Sequence, residues 1–151
     1  MTTIANVGLS LQEDAWRAGS DAATQTMAGL GGPASLVIAF TTDRYDQEAA
    51  VRGIRSVTGD APLIGCCGGG NITSHGISMD SVAVMALRSE NLHVALAMET
   101  GARATPYRVG QAVAETLARH LTAAGMEDQH AAVLTLLDDL SEATQVVQGA
   151  T

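Results

Sequence analysis

At 151 residues, 46% of them hydrophobic, the chain has the length of one globular domain with enough apolar side chains to fill a single core. Sixteen acidic residues against eight basic ones leave a net charge of −8, every basic residue is an arginine, and only Trp16, Phe40, Tyr45 and Tyr107 are aromatic. Nucleic acid is not expected as a partner, because the charge repels phosphate and few rings could stack on bases, and the absence of lysine excludes Schiff-base chemistry and a P-loop.

Residues 4–9 read as a first strand. Ser10 and Glu13 follow at capping-box spacing and predict a helix over 14–30, whose stripe of Ala15, Ala18, Gly19, Ala22, Ala23, Met27 and Leu30 is mostly small and suits close packing. A second strand is expected over 35–40, bounded by Gly31, Gly32 and Pro33 before it and by Thr41, Thr42 and Asp43 after it. A helix over 46–58 turns Ala50, Gly53, Ile54 and Val57 inward, and a third strand over 61–65 feeds a glycine-rich segment. Residues 81–87 and 92–98 read as an antiparallel hairpin joined by the short polar link 88–91. Thr105 and Pro106 start a helix with Val109, Val113, Leu117, Leu121 and Ala124 on one face, and Gly125 stops it. A sixth strand over 131–137 and a last helix capped by Ser141 complete the pattern.

Six strands and four helices with crossovers and one hairpin predict an α/β fold, a mixed sheet with helices on its faces. A helix running to Thr151 with no strand after it reads as a crossover left unfinished, so a fragment of a longer protein is expected. No run approaches the roughly 20 apolar residues of a membrane helix, and residues 1–14 lack a basic leader, so a cytoplasmic chain without membrane insertion is expected.

The segment 65–76, GCCGGGNITSHG, follows the third strand where open α/β sheets bind ligands. Glycine permits φ > 0 and close approach of backbone N–H groups, so Gly68, Gly69 and Gly70 suggest backbone contacts to a bound group. The plainer alternative is a tight, adaptable turn. Cys66 and Cys67 are neighbours too close for ordinary disulfide geometry and are read as thiols.

Cys66 as an enzyme nucleophile would need a base, and His75 is the nearest histidine, nine residues on with flexible glycines between. A zinc site from Cys66, Cys67, His75 and His93 matches no usual spacing, and no metal is expected. His93 reads as a sheet histidine, and His120 and His130 as residues at or beyond a helix end. Nucleotide binding is disfavoured because the loop spells neither phosphate motif and leads toward a strand. Asp43, Asp138 and Asp139 follow strands and could meet a ligand ammonium group, or could simply cap helices.

The stretch 61–87, APLIGCCGGGNITSHGISMDSVAVMAL, resembles the N-terminal FIST domain through Pro62, Gly65, Cys66, Gly70, Ile72, Gly76, Ser81 and Val82. The alanine-rich helix 14–30 and the strand 36–40 fall where that family places them. The resemblance implies an intracellular sensory module that binds small ligands such as amino acids and passes the signal to kinase, cyclase or chemoreceptor partners. Some family members bind haem and sense nitric oxide. The chain departs from the family pattern at Cys67, Gly68, Gly69 and Asn71, where small hydroxyl, alanine or acidic residues are usual, and the resemblance implies a C-terminal FIST domain beyond the expected fragment.

The expectation is a non-enzymatic sensor without a cofactor. A small polar ligand, an amino acid or other carboxylate, would be held by Thr41, Thr42, Asp43, Gly65, Cys66, Gly68, Gly69, Gly70 and Asn71. Its partners would be a C-terminal FIST domain or a signalling protein, with self-association where apolar surface stays open. The alternatives are a haem-based nitric oxide sensor and a thiol-dependent enzyme using Cys66.

Overall fold

Strand β1 (Ile4–Ser10) turns Ile4, Asn6, Gly8 and Ser10 inward, of which Gly8 and Ser10 are buried. A Cβ at Gly8 would overlap the carbonyl oxygen of Ala22, so helix α1 (Ala15–Ala28) lies against this strand with backbone nearly touching backbone. In this computed structural model residues 2–74, 76–126, 129–137 and 143–151 are described, and the chain divides into two units, Met1–Val94 and Ala95–Thr151.

The first unit is built on a four-stranded mixed sheet in the order β1-β6-β2-β3. Its other strands are β2 (Leu36–Thr42), β3 (Leu63–Gly68) and β6 (Val82–Arg88), while β4 (Asn71–Thr73) and β5 (Gly76–Ser78) form a separate antiparallel pair. β6 runs antiparallel to both β1 and β2, and β2 runs parallel to β3 through the crossover helix α2 (Gln47–Thr58). The fold is therefore α/β with a mixed sheet. Helices α1 and α2 cover one sheet face, where Val37, Ala39, Val82, Val84 and Ala86 meet Ala18, Ala22, Ala23, Ala50 and Ile54.

The small stripe of α1 serves α2 as well as the sheet. A Cβ at Gly19 would overlap the Ala50 carbonyl oxygen, and one at Gly53 the Trp16 carbonyl oxygen. The cap of α1 differs from the sequence expectation. Asp14 Oδ1 accepts from Arg17 N at 2.8 Å, whereas Ser10 stays in β1 and donates to Asp21 Oδ2 at 2.6 Å. Asp46 caps α2 by accepting from Ala49 N at 2.7 Å, and Gly59 with φ 59° ends it.

The expected hairpin between residues 81–87 and 92–98 does not form. β6 is present, but β1 occupies one of its edges and β2 the other, so a following strand cannot pair with it. Residues 92–98 carry no regular structure. The antiparallel pair lies instead at 71–78, inside the segment read as a loop.

In the second unit α3 (Pro106–Ala123) begins behind Thr105 with proline in its first turn, as its sequence predicts. Met126 N donates back to Leu121 O at 2.9 Å around Gly125, whose φ is 65°. α4 (Ala143–Gly149) crosses it closely, since a Cβ at Gly110 would overlap the Val146 carbonyl oxygen and one at Gly149 the Tyr107 carbonyl oxygen. Residues 131–137 are not a strand, and Val133 and Leu134 are exposed. The described elements of this unit are helices, so an extended run there has no neighbour to satisfy its backbone. Among the described residues no helix is long and apolar enough to cross a membrane.

Candidate functional site

The carboxyl ends of β2 and β3 lie side by side, with Phe40 opposite Cys66, Thr41 opposite Cys67 and Thr42 opposite Gly68. Gly65, the last residue of the expected third strand, lies within β3, and Cys66 and Gly68, expected in the loop after it, are strand residues too, so only Gly69 and Gly70 separate β3 from β4. None of Gly65, Gly68, Gly69 and Gly70 has positive φ, so backbone conformation does not require glycine at these positions.

Their surroundings differ. A Cβ at Gly65 would overlap the Ala39 carbonyl oxygen, so this glycine is required by the close approach of β3 to β2. A Cβ at Gly70 would come within 3.0 Å of Met79 Sδ. At Gly69 nothing stands within 4 Å, and at Gly68 the nearest atom is the Gly70 oxygen at 4.0 Å. Gly68 and Gly69 thus present bare backbone to open space where neither φ nor packing requires glycine.

Gln47, the first residue of α2, organises the strand ends and was not singled out from the sequence. Its Oε1 accepts from the Thr41 hydroxyl, and its Nε2 donates to the carbonyls of Thr42 at 3.0 Å and Tyr45 at 2.9 Å and to Cys67 Sγ at 3.5 Å. The only sequence signal was its place directly after the helix cap, where a long polar side chain can reach back to the preceding strand. Tyr45 closes the β2–α2 turn. Its amide donates to the Thr42 carbonyl at 3.2 Å and its hydroxyl to the Gln12 carbonyl at 2.9 Å. Burial raises the Tyr45 pKa above its ordinary value, partly opposed by the Arg44 guanidinium, with Asp80 and Glu13 adding to the rise.

Thr42 is fully buried, and its hydroxyl has no hydrogen-bond partner among the described residues. Such a group costs stability unless something satisfies it. Asp43 stands exposed in the turn beyond. Arg44 pairs with Asp80 at 3.1 Å and with Glu13 at 3.8 Å.

Asn71 has a structural task in place of an open one. It is 6% exposed, and its Nδ2 donates to the Ser81 hydroxyl at 3.0 Å, the Ser81 carbonyl at 3.1 Å and the Phe40 carbonyl at 3.4 Å. These bonds pin the β4–β5 ribbon to the ends of β2 and β6. Cys66 and Cys67 are free thiols pointing to opposite sheet faces, Cys67 toward Gln47 and Cys66 beside Phe40. Although the Cys66 residue is exposed, partial desolvation of its thiol and the neighbouring Cys67 raise its pKa.

No metal-binding cluster of His, Cys, Asp or Glu occurs among the described residues. His93, His120 and His130 are exposed, so the described histidines offer no buried axial position for haem. His75, Asp138, Asp139 and Ser141 lie outside the described residues.

The sequence model of the FIST N domain family matches residues 35–151. The chain belongs to the FIST N domain family. The matched span runs from the residue before β2 to the end of the chain and contains every candidate site residue, whereas β1 and α1 precede it. FIST N domains form a family of sensory domains in signal transduction. No curated protein gives a significant match to this chain.

Proposed function

We propose that this FIST N domain is a non-enzymatic sensor that binds a small polar ligand, an amino acid or other small carboxylate, at the carboxyl ends of β2 and β3. The observation that carries this reading is the open backbone of Gly68 and Gly69 directly across the ladder from Thr42, whose buried hydroxyl has no partner among the described residues. Glycines that neither φ nor packing requires, beside a hydroxyl without a partner among the described residues that a small shift of the strand ends would uncover, support a site completed from outside the chain. Backbone N–H groups of Gly68, Gly69 and Gly70 would take the ligand carboxylate, and Asp43 would meet an ammonium group.

Thr41 and Asn71 act on this reading through the scaffold, Thr41 through Gln47 and Asn71 by anchoring the ribbon. Gly65 sets the spacing of β2 and β3. A Cys66 thiol that keeps its proton favours a lining role over nucleophilic chemistry. Ligand binding would reach a signalling partner or a C-terminal FIST domain by favouring one position of the β4–β5 ribbon over another.

Thermal unfolding against a panel of amino acids and small carboxylates tests this proposal, since a ligand that binds only the folded chain raises Tm. The expected result is a rise for a subset of the panel that is lost in Gly69→Trp, a substitution into open space. A Tm indifferent to every compound, or a shift unaltered by Gly69→Trp, would overturn the proposed site.

A further inference from the structure

The β4–β5 ribbon is amphipathic in the reverse of the usual sense. Ile72 and Ile77 are directly paired across it, and they are 82% and 73% exposed. Met79, two residues beyond Ile77 on the same face and lying over Gly70, is 63% exposed. The opposite face carries Asn71, which is buried and bonded to Ser81 and Phe40. The ribbon therefore turns its polar face toward the sheet and its apolar face to solvent. Short ribbons in isolation gain their stability from the opposite arrangement.

Charge narrows the occupant. The chain carries −8, yet from Ala61 to Met79 there is no Asp, Glu, Lys or Arg, and Asp60 and Asp80 flank that stretch. A basic partner would be drawn to the acidic remainder of the surface. Two equally acidic copies of this chain, in contrast, meet with least repulsion where both are uncharged. The ribbon is also self-complementary. Because Ile72 stands opposite Ile77, a copy rotated by half a turn places its Ile77 against the first copy's Ile72, and the same contact repeats across the axis.

We propose that the Ile72–Ile77–Met79 face of the ribbon is a self-association surface, occupied by the same face of a second copy in an isologous dimer. This surface adjoins the proposed ligand site, since Met79 lies over Gly70, but Gly68, Gly69 and Thr42 are outside the contact. Three side chains per copy cover well under the roughly 800 Å² per partner of a stable interface, so the dimer is weak and concentration-dependent, with a dissociation constant on the order of 100 μM.

Sedimentation equilibrium of the full chain up to about 1 mM tests it, with amide resonances of residues 70–79 followed by NMR over the same range. The expected result is reversible dimerisation with line broadening centred on the ribbon. Ile72→Lys and Ile77→Lys, at positions already exposed, should each weaken it roughly tenfold or more while leaving the circular dichroism melt intact. Leu11→Lys, at another exposed apolar position, should leave it unchanged. A chain monomeric throughout the range, or a dimer insensitive to both isoleucine variants, would overturn the proposal. So would a monomer that phosphatidylcholine vesicles deplete in an Ile77-dependent way, which would assign the face to a lipid surface.

Discussion

Gln47 Nε2 lies 3.5 Å from Cys67 Sγ, so the first residue of α2 is tied to the end of β3 while its oxygen accepts from Thr41. One side chain thus holds both strands that frame the candidate site. Gln47→Ala should lower stability by about 1–3 kcal/mol, because it removes bonds to two carbonyls and strands the buried Thr41 hydroxyl. Urea unfolding checks the stability, and faster alkylation of Cys67 in the variant would report the loosened strand end.

Thr42→Val should move stability and function in opposite directions. It removes a buried hydroxyl that lacks a partner among the described residues, so the chain without ligand should gain about 1 kcal/mol. The same change should abolish the ligand-induced rise in Tm. A variant less stable than the parent would show that the hydroxyl is satisfied in solution.

The glycines make a matched pair of predictions. Gly53→Ala places a methyl against the Trp16 carbonyl at the α1–α2 crossing and should cost about 1–3 kcal/mol. Gly69→Ala enters open space without a positive-φ penalty and should stay within about 0.5 kcal/mol of the parent. Comparative thermal melts distinguish a packing glycine from an open one.

Asn71→Leu should release the ribbon without unfolding the sheet. It removes donors to Ser81 and Phe40 and leaves the Ser81 carbonyl short of a partner, at a cost of about 1–3 kcal/mol concentrated locally. Hydrogen exchange should quicken at residues 71–78 while β1, β2 and β6 keep their protection. Uniform acceleration through the sheet would mean that ribbon and sheet open together.

The Cys66 thiol predicts the pH dependence. Its folded pKa is raised by desolvation and by Cys67, so iodoacetamide should label it slowly near neutral pH, with the rate rising only above the ordinary thiol range. The unfolded chain releases this proton first as pH increases. The Cys66 contribution to stability is therefore fully present below the unfolded pKa and is lost as pH rises through the folded one. Mass-spectrometric labelling across that range checks the order, and Cys66→Ser should flatten the alkaline decline.

Local signals carried far into the fold. Ala18, Gly19, Ala22 and Ala23 are spaced as a helical stripe, and α1 buries all four together with Thr26, which the stripe did not include. The Thr105-Pro106 start and Gly125 stop bracket α3, and the apolar runs at β1, β2 and β6 are strands with ends shifted by one or two residues. At the site, Thr41, Thr42 and Gly68 do meet at adjoining strand ends. Gln47 escaped notice because its importance lies in which carbonyls it reaches, and reach depends on how the β2–α2 turn folds back.

Sequence alone determined the family, the alternation of strands and helices, and the placement of a glycine-rich, uncharged segment after β3, because motif, periodicity and charge are properties of neighbouring residues. Only the tertiary structure decided which extended runs became strands. Residues 92–98 and 131–137 have apolar strand composition, but a strand exists only where it pairs: β1 and β2 already hold both edges of β6, so 92–98 cannot form the hairpin with it, and the described elements of the unit holding 131–137 are helices. Tertiary pairing likewise divided the glycines into Gly65, held by close strand approach, and Gly69, open to solvent, and turned Ile72 and Ile77 outward by anchoring Asn71 beneath them. Those outcomes depend on contacts between residues distant in the chain, which no local pattern encodes.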